Sequence, residues 1–304
     1  MTAIADDGLS LVGTLTLPVG PGPHPAVLLL HGSGRLDRDS NTARLRMDLG
    51  PALAKRLAHA GIATLRYDRR GVGATGGDWR RTGFTAGRHD AAAALRALAV
   101  RPDIRADAVG VVGHSEGAVH AMSLGALPEV AAVVLLAGFA RPGEDALRWQ
   151  AAMIARDLPA PVRPLLPLLR FLANRQLTRI KATSTDVVRV LGRPLNARWL
   201  RELLDHDPRP ELANIKAPVL AITGDKDVQV DPADLDEIRR LVPGDITVHR
   251  IPDLTHVLRR DHGRPSVRSY RRLLREPVDH DLLAQVAGWL VDRLHGTPDT
   301  LRFS

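Results

Sequence analysis

The strongest constraint on how this chain can fold is a five-residue turn, Gly113-His114-Ser115-Glu116-Gly117. An apolar run, Val109-Gly110-Val111-Val112, leads into it, and Ala118 to Leu124 reads as helix. A strand that passes straight into a helix through small-x-Ser-x-small has little steric freedom. Glycine at 113 and 117 lets the two elements approach closely, and the serine is pushed out into a cleft; this is the pattern of a nucleophile elbow. With 26 glycines in 304 residues a Gly-x-Ser-x-Gly match can also arise by chance, so the context along the chain has to carry the argument.

That context is an alternation of strands and helices. Residues 8–17 alternate apolar and polar, as an edge strand does, and the Gly- and Pro-rich stretch from Pro18 to Pro25 is a turn. Ala26-Val27-Leu28-Leu29-Leu30 is continuously apolar, the mark of a strand covered on both faces, and it ends in His31-Gly32-Ser33-Gly34. Residues 47–60 have helical spacing at Leu49, Leu53, Leu57 and Ala60, Gly61 stops that helix, and 62–67 is a strand. A glycine-rich loop from Asp68 to Gly87, a helix over 90–100, the elbow, a helix over 117–126 and a strand over 130–136 follow. Later come a strand over 218–223, a helix from Pro232 to Leu241 capped by Asp231, a strand over 246–251 and an amphipathic helix over 282–294. The pattern predicts an α/β fold, a mostly parallel sheet flanked by helices.

Residues 141–211 interrupt the rhythm. They contain eight prolines and no clear strand, and their spacing predicts short helices near 144–157, 164–178, 184–191 and 197–205. The stretch is too apolar for a solvated spacer, so the expected organisation is a core of 1–140 and 212–304 with a helical cap inserted at 141–211.

Composition narrows the function classes. Cysteine is absent, which excludes disulfides, thiolate metal sites and a cysteine nucleophile, and fits a reducing, cytoplasmic setting. The start of the chain lacks a basic region followed by an apolar run, and no stretch of about twenty apolar residues predicts a membrane span. The net charge is +8, of which the stretch 141–211, with thirteen basic and eight acidic residues, carries +5. Aromatic residues are only 3% and none interleaves with a basic run, so no nucleic-acid partner is expected.

A serine hydroxyl needs a base within hydrogen-bond reach and a third group to orient that base. Where an elbow supplies the serine, the chain order is serine, acid, histidine, each on a loop beyond a strand. His256 follows the last strand and is the preferred base; His249 lies within that strand, His262 lies further on, and His31 precedes the serine. Asp225, Asp227 and Asp231 all follow the penultimate strand; Asp231 reads as a helix cap and Asp225 sits at the turn, which leaves Asp227 as the preferred acid. The negative charge of a tetrahedral intermediate needs backbone N–H donors, expected from Glu116 and Ser33. Trp149, Met153, Phe171 and Trp199 are the expected apolar wall for a substrate, and no cofactor is implied.

These stretches resemble the α/β-hydrolase superfamily, and within it the bacterial esterase group known as serine-aminopeptidase-like or dienelactone-hydrolase-like. The resemblance rests on Gly22-Pro23-His24-Pro25-Ala26-Val27 through His31-Gly32-Ser33-Gly34 with Arg38-Asp39, and on Arg66-Tyr67-Asp68-Arg69-Arg70-Gly71-Val72-Gly73. It continues in the elbow, in Gly224-Asp225-Lys226-Asp227 with Val230, and in Leu254-Thr255-His256. It implies an enzyme that cleaves a small-molecule carboxylic ester, with Ser115, His256 and Asp227 as its triad. An acyl thioesterase or an aminopeptidase would share the machinery. The aminopeptidase would need a carboxylate for the substrate's ammonium, from Glu144, Asp145 or Glu202; a binding module that kept the fold would not need the triad.

Two further patterns need a reading. Gly71-Val72-Gly73-Ala74-Thr75-Gly76 matches a dinucleotide-binding turn, but a phosphate-binding turn must open directly into a helix, and loop residues follow. Here the glycines are expected to let the loop pack tightly, with Asp68 and Arg70 as an internal ion pair. Arg268, Arg271, Arg272 and Arg275 share one face at helical spacing, as a solvated face or as a contact for an anionic substrate tail or another subunit. The oligomeric state is left open.

Overall fold

The continuous apolar runs become the inner strands of one sheet, because only a strand covered on both faces can bury every side chain. The computed structural model describes residues 1–295. In chain order the elements are β1 (Thr2–Ile4), β2 (Ser10–Thr16), β3 (His24–Leu30), α1 (Leu49–His59), β4 (Ala63–Tyr67), α2 (Phe84–Ala99), β5 (Ile104–His114), α3 (Glu116–Leu124), β6 (Ala132–Leu136), α4 (Gly143–Arg156), α5 (Leu166–Ala182), β7 (Val187–Val190), β8 (Arg193–Asn196), α6 (Ala197–Asp205), α7 (Arg209–Ala213), β9 (Val219–Gly224), α8 (Asp234–Leu241), β10 (Ile246–Ile251), α9 (Tyr270–Leu273) and α10 (His280–Leu294).

Eight strands form the sheet in the order β1-β2-β4-β3-β5-β6-β9-β10. β1 and β2 join antiparallel and the rest run parallel, so the carboxyl ends of β3, β5, β6, β9 and β10 lie along one edge. Every residue of β6 and β9 is buried. One apolar layer packs β-strand residues such as Leu28, Val111 and Val133 under Leu95 and Leu98 of α2, Ala121 and Met122 of α3, and Leu235 and Ile238 of α8. The opposite layer sets Val27, Val112 and Leu220 against Leu53 and Leu57 of α1 and Val286 and Leu290 of α10. A smaller cluster, Phe84, Val119 and Leu203 with Phe139, Leu147 and Trp199, lies between the core helices and the segment that separates β6 from β9. Among the described residues no helix is long and apolar enough to cross a membrane.

Several local expectations are corrected. The predicted helix over 184–191 is instead a hairpin, β7 paired antiparallel with β8. Val187, Val188 and Val190 are β-branched and favour extended backbone, and Leu191 (φ 50°) and Gly192 (φ 77°) make a two-residue turn with both residues left-handed. α2 begins at Phe84, so the preceding loop is shorter than expected; Phe84 is 1% exposed, and its burial against Val119 and Leu203 fixes that first turn. α8 begins at Asp234, and Asp231 is not its cap: its carboxylate pairs with Arg141 at 2.8 Å and accepts the Ala233 N–H in the turn before the helix.

The predicted Asp68–Arg70 pair does not form. Asp68 bonds Arg38 and the Ala74 N–H, while Arg70 reaches Asp90 of α2 and Asp7. Gly73 at φ 56° lies directly over the Asp68 carboxylate, where a Cβ would collide, so the loop wraps that carboxylate tightly. Arg268, Arg271, Arg272 and Arg275 are all exposed, as a solvated face expects, but on short turns rather than one long helix. Residues 267–273 form a short 3-10 turn and the single turn α9, and Arg272 pairs with Asp261.

Candidate active site

Ser115 sits where β5 turns into α3. Its backbone is at φ 56°, ψ −119°, a strained conformation for a residue with a side chain. Its N–H donates to Leu136 O of the neighbouring β6 at 2.9 Å. A Cβ on Gly113 would collide with the backbone of Gly117, and one on Gly117 with Leu30 O. The two glycines are therefore demanded by contact, and they press the elbow against the end of β3.

His256 and Asp227 come from the loops beyond β10 and β9. His256 Nε2 lies 3.1 Å from Ser115 Oγ, and its Nδ1 lies 2.7 Å from Asp227 Oδ2. With Nδ1–H donated to the carboxylate, Nε2 is free to accept the serine proton. Asp227 is 3% exposed, and its other oxygen accepts the N–H groups of Gln229 (2.7 Å) and Val230 (2.8 Å), which locks its orientation. The neighbouring aspartates work elsewhere: Asp225 accepts the Asp253 N–H at 2.7 Å and so holds the β9 and β10 loops together.

Two buried residues that sequence reasoning missed brace the His256 loop. Arg259, 4% exposed, donates to Met47 O, Val257 O and Glu276 O, and burial lowers its guanidinium to about 10. His114 donates through Nε2 to His256 O at 3.0 Å. Burial, with the nearby His256 charge, pushes the His114 imidazole down to about 3, which keeps it a neutral strut. Neither lies in a motif; a Thr-His-x-x-Arg spacing is the only trace Arg259 leaves.

The turn after β3 lies against the serine. A Cβ on Gly32 would sit 3.3 Å from Ser115 Cβ. Arg69 steadies this turn by donating to Gly32 O (2.7 Å) and His31 Nδ1 (2.9 Å). The Ser33 and Glu116 N–H groups find no protein acceptor among the described residues. The Glu116 side chain turns the other way, to Trp199 Nε1 (3.0 Å), Arg69 (3.5 Å) and His120 (3.4 Å). Burial alone would raise this carboxyl, but the Arg69 charge and the bonds from His120 and Trp199 outweigh it and hold it at about 2.

Two cavities share Ser33, Glu116 and Trp199 in their walls. The smaller, about 50 Å³, contains Ser115 and is walled by Phe139, Leu147, Gln150, Leu203 and Val230. The larger, about 220 Å³, lies beyond the Trp199–Glu116 partition between Tyr67, Trp79, His120 and Leu195. Of the four residues expected to wall a substrate, Trp199 lines both cavities, while Trp149, Met153 and Phe171 line neither. Phe171 is 60% exposed on α5. α4 presents Leu147 and Gln150 inward, a choice of helix face that its spacing did not reveal. Of the carboxylates in 141–211, Glu144 pairs with Arg148 and Lys181 and Glu202 with Arg198 and the Thr85 N–H, while Asp145 is exposed.

The family described as Hydrolase_4, serine aminopeptidase S33, matches residues 46–263. The chain belongs to that family. Esterase EstD of Thermotoga maritima is 28% identical over 289 residues, 92% of this chain. The 2,6-dihydropseudooxynicotine hydrolase of Paenarthrobacter nicotinovorans is 31% identical over 141 residues, 44% of this chain. The chain spans 65% of the length of the first relative and 33% of the second. Est1E of Butyrivibrio proteoclasticus, solved with ferulic acid bound, superposes with a TM-score of 0.65 at 18% identity, covering 97% of this chain and 100% of that one. The fold is that of an α/β-hydrolase, and the family is one of hydrolases.

Proposed function

We propose that this chain is a serine hydrolase that cleaves carboxylic esters through an acyl-enzyme. The observation that carries the reading is the continuous relay from Ser115 to His256 to Asp227, at 3.1 and 2.7 Å, assembled from loops beyond β5, β10 and β9. His256 takes the proton of Ser115 as its Oγ attacks the ester carbonyl. Asp227 fixes the tautomer and offsets the imidazolium charge. The oxyanion is held by the N–H groups of Ser33 and Glu116, each worth about 3–4 kcal/mol in a site of this kind. His256 then returns the proton to the leaving alcohol and activates the water that releases the acyl group.

The segment 141–211 serves as the cap. In support, α4 and α6 bring Leu147, Gln150, Trp199 and Leu203 over the serine, and the β7–β8 hairpin brings Leu195 over the larger cavity. EstD carries an esterase name, and the substrate class taken from it is a small-molecule ester. Glu144 and Glu202 are engaged and Asp145 borders neither cavity, which favours an ester over an aminopeptide substrate, since no one of the three carboxylates is placed to hold an ammonium. The test is fluorophosphonate labelling and turnover of p-nitrophenyl esters by the native protein and by Ser115→Ala. Labelling at Ser115 with turnover lost in the variant is expected. Unlabelled Ser115, or an active Ser115→Ala, overturns the reading.

A further inference from the structure

The larger cavity has a chemistry of its own that the relay does not use. Tyr67, at the end of β4, is 5% exposed and borders it, yet its hydroxyl makes no hydrogen bond among the described residues. A tyrosine whose body is buried and whose hydroxyl no protein group engages, at the wall of a cavity, offers that hydroxyl to a ligand atom. Burial, then the nearby Asp90 charge, raises the phenol above its usual range, so it is a neutral hydroxyl that can donate. Trp79, Trp199, His31 and His120 supply flat faces around the same space.

Most of the other spare groups at this wall are also donors; the exception is His120 Nδ1, an acceptor because Nε2 faces Glu116. His31 receives the Arg69 guanidinium N–H on Nδ1, which puts its own proton on Nε2, and that Nε2 is unpartnered, as are Arg69 Nε and Trp79 Nε1. The charges bordering the cavity balance: Arg69 and Arg70 against Glu116 and Asp90. A donor-rich wall without net charge fits a neutral oxygen that accepts, and does not fit an anion. At about 220 Å³ the space lies below the roughly 300–1,000 Å³ of pockets for drug-sized ligands, and suits a single ring.

We propose that this cavity is a substrate subsite for one aromatic ring bearing a neutral oxygen, a phenol or aryl ether, which the Tyr67 hydroxyl recognises. It rests on the esterase reading only in joining the ring to an ester. Because both cavities have Ser33 and Glu116 in their walls, and the N–H groups of these residues would hold the carbonyl oxygen, the ring would belong to the acyl part or to the alcohol part of that ester.

The test separates binding from turnover. Calorimetry on Ser115→Ala compares p-cresol, 4-methylanisole, toluene and 4-methylbenzoate. The two oxygenated rings are expected to bind about threefold to tenfold more tightly than toluene, the range of one neutral hydrogen bond. The 4-methylbenzoate anion should gain nothing over p-cresol, and adding Tyr67→Phe should erase the preference. A crystal structure of Ser115→Ala with p-cresol, which needs no change at Tyr67, should place the ligand oxygen within hydrogen-bond distance of Tyr67 Oη. Equal binding of p-cresol and toluene, a preference that survives Tyr67→Phe, tightest binding by the anion, or p-cresol seated elsewhere each overturns the inference. On the active protein, methyl 3-(4-hydroxyphenyl)propanoate against methyl 3-phenylpropanoate reads the acyl side, and 4-hydroxyphenethyl acetate against phenethyl acetate reads the alcohol side. A hydroxyl preference in kcat/KM in one arm supports the subsite, and hydrolysis without preference in either arm overturns it. If no ester is hydrolysed at all, the esterase reading falls, while calorimetry still decides whether the ring binds.

Discussion

The loops beyond β5 and β9 and the segment 141–211 both wall the smaller cavity, and the strand-end loops and that segment are built on different principles. The strand-end loops hold their polar groups by burial and mutual hydrogen bonds. Asp227, His256, His114 and Arg259 are each under 7% exposed, and each is bonded to backbone or to another of these side chains. The segment 141–211 is held by few buried apolar residues, such as Ile180, Leu203 and Leu204, and by ion pairs at its surface, such as Arg148–Glu144 and Arg198–Glu202. Surface pairs of that kind contribute about 0–1 kcal/mol each. The difference teaches that positioning of the relay is a property of the sheet, while the segment 141–211 supplies one wall of cavities whose other walls come from the strand-end loops and α2.

The sharpest way to break this comparison is at the relay itself. Ser115→Ala or His256→Ala should each lower kcat/KM for p-nitrophenyl esters by about 10³-fold or more, and the double variant should lose little beyond either single one, because the residues act as a unit. Losses that multiply in the double variant would show that Ser115 and His256 do not act together.

Next in size is the choice among three aspartates. Asp227→Asn should lower kcat by about 10²- to 10⁴-fold while leaving the fold intact, because an amide no longer fixes the tautomer of His256. Asp225→Asn and Asp231→Asn, whose partners are the Asp253 N–H and Arg141, should lower it by less than about tenfold. Steady-state kinetics on all three, with circular dichroism as the control for folding, decides it.

Stability against pH sharpens the same contrast. His114 is neutral in the fold, with its value pushed to about 3 by burial, whereas in the unfolded chain it titrates near 6.5. The unfolded state therefore takes up a proton first as pH falls, so stability drops from about pH 6.5 downward and the His114 share of that drop is complete near pH 3. The loss is at most about 1.4 kcal/mol per pH unit for this one group. His114→Gln keeps a donor towards His256 O and removes the titration. Urea denaturation at pH 7 and pH 5 should show a smaller drop for the variant than for the native protein.

How much of this was legible in the sequence follows the same division. Ser115, His256 and Asp227 could be read because each chemical role needs a particular residue just after a buried strand, and continuous apolar runs mark such strands plainly. The elbow glycines could be read for the same reason, since backbone contact leaves no other residue. Arg259 and His114 could not, because their work is to bond carbonyls that only the folded chain brings near. Within 141–211 the period of the apolar residues failed at 184–191, where three valines and the Leu191-Gly192 turn outweighed a helix-like spacing. The same short-range view found the apolar side chains of the insertion but not which of them face inward, since Trp199 and Leu147 differ from Phe171 only in what the core presents to them.

The smallest expected effect tests that last point directly. Phe171 is a large aromatic in the insertion and would be the natural wall of an apolar site if composition alone decided. It is 60% exposed on α5 beside the exposed Leu168 and Leu172, and it borders neither cavity. Replacing an exposed apolar side chain by a polar one changes little in the fold, usually within about ±0.5 kcal/mol. Phe171→Ser should therefore leave kcat/KM for short p-nitrophenyl esters within about twofold of native, whereas Trp199→Ala, which opens the partition between the cavities, should shift the preference among ester chain lengths by about tenfold, as the loss of well-placed apolar contacts does. Measured across one ester series, the two variants give the insertion an inner and an outer face. A Phe171→Ser variant that alters chain-length preference as strongly as Trp199→Ala would mean that α5 closes over the site when substrate is bound.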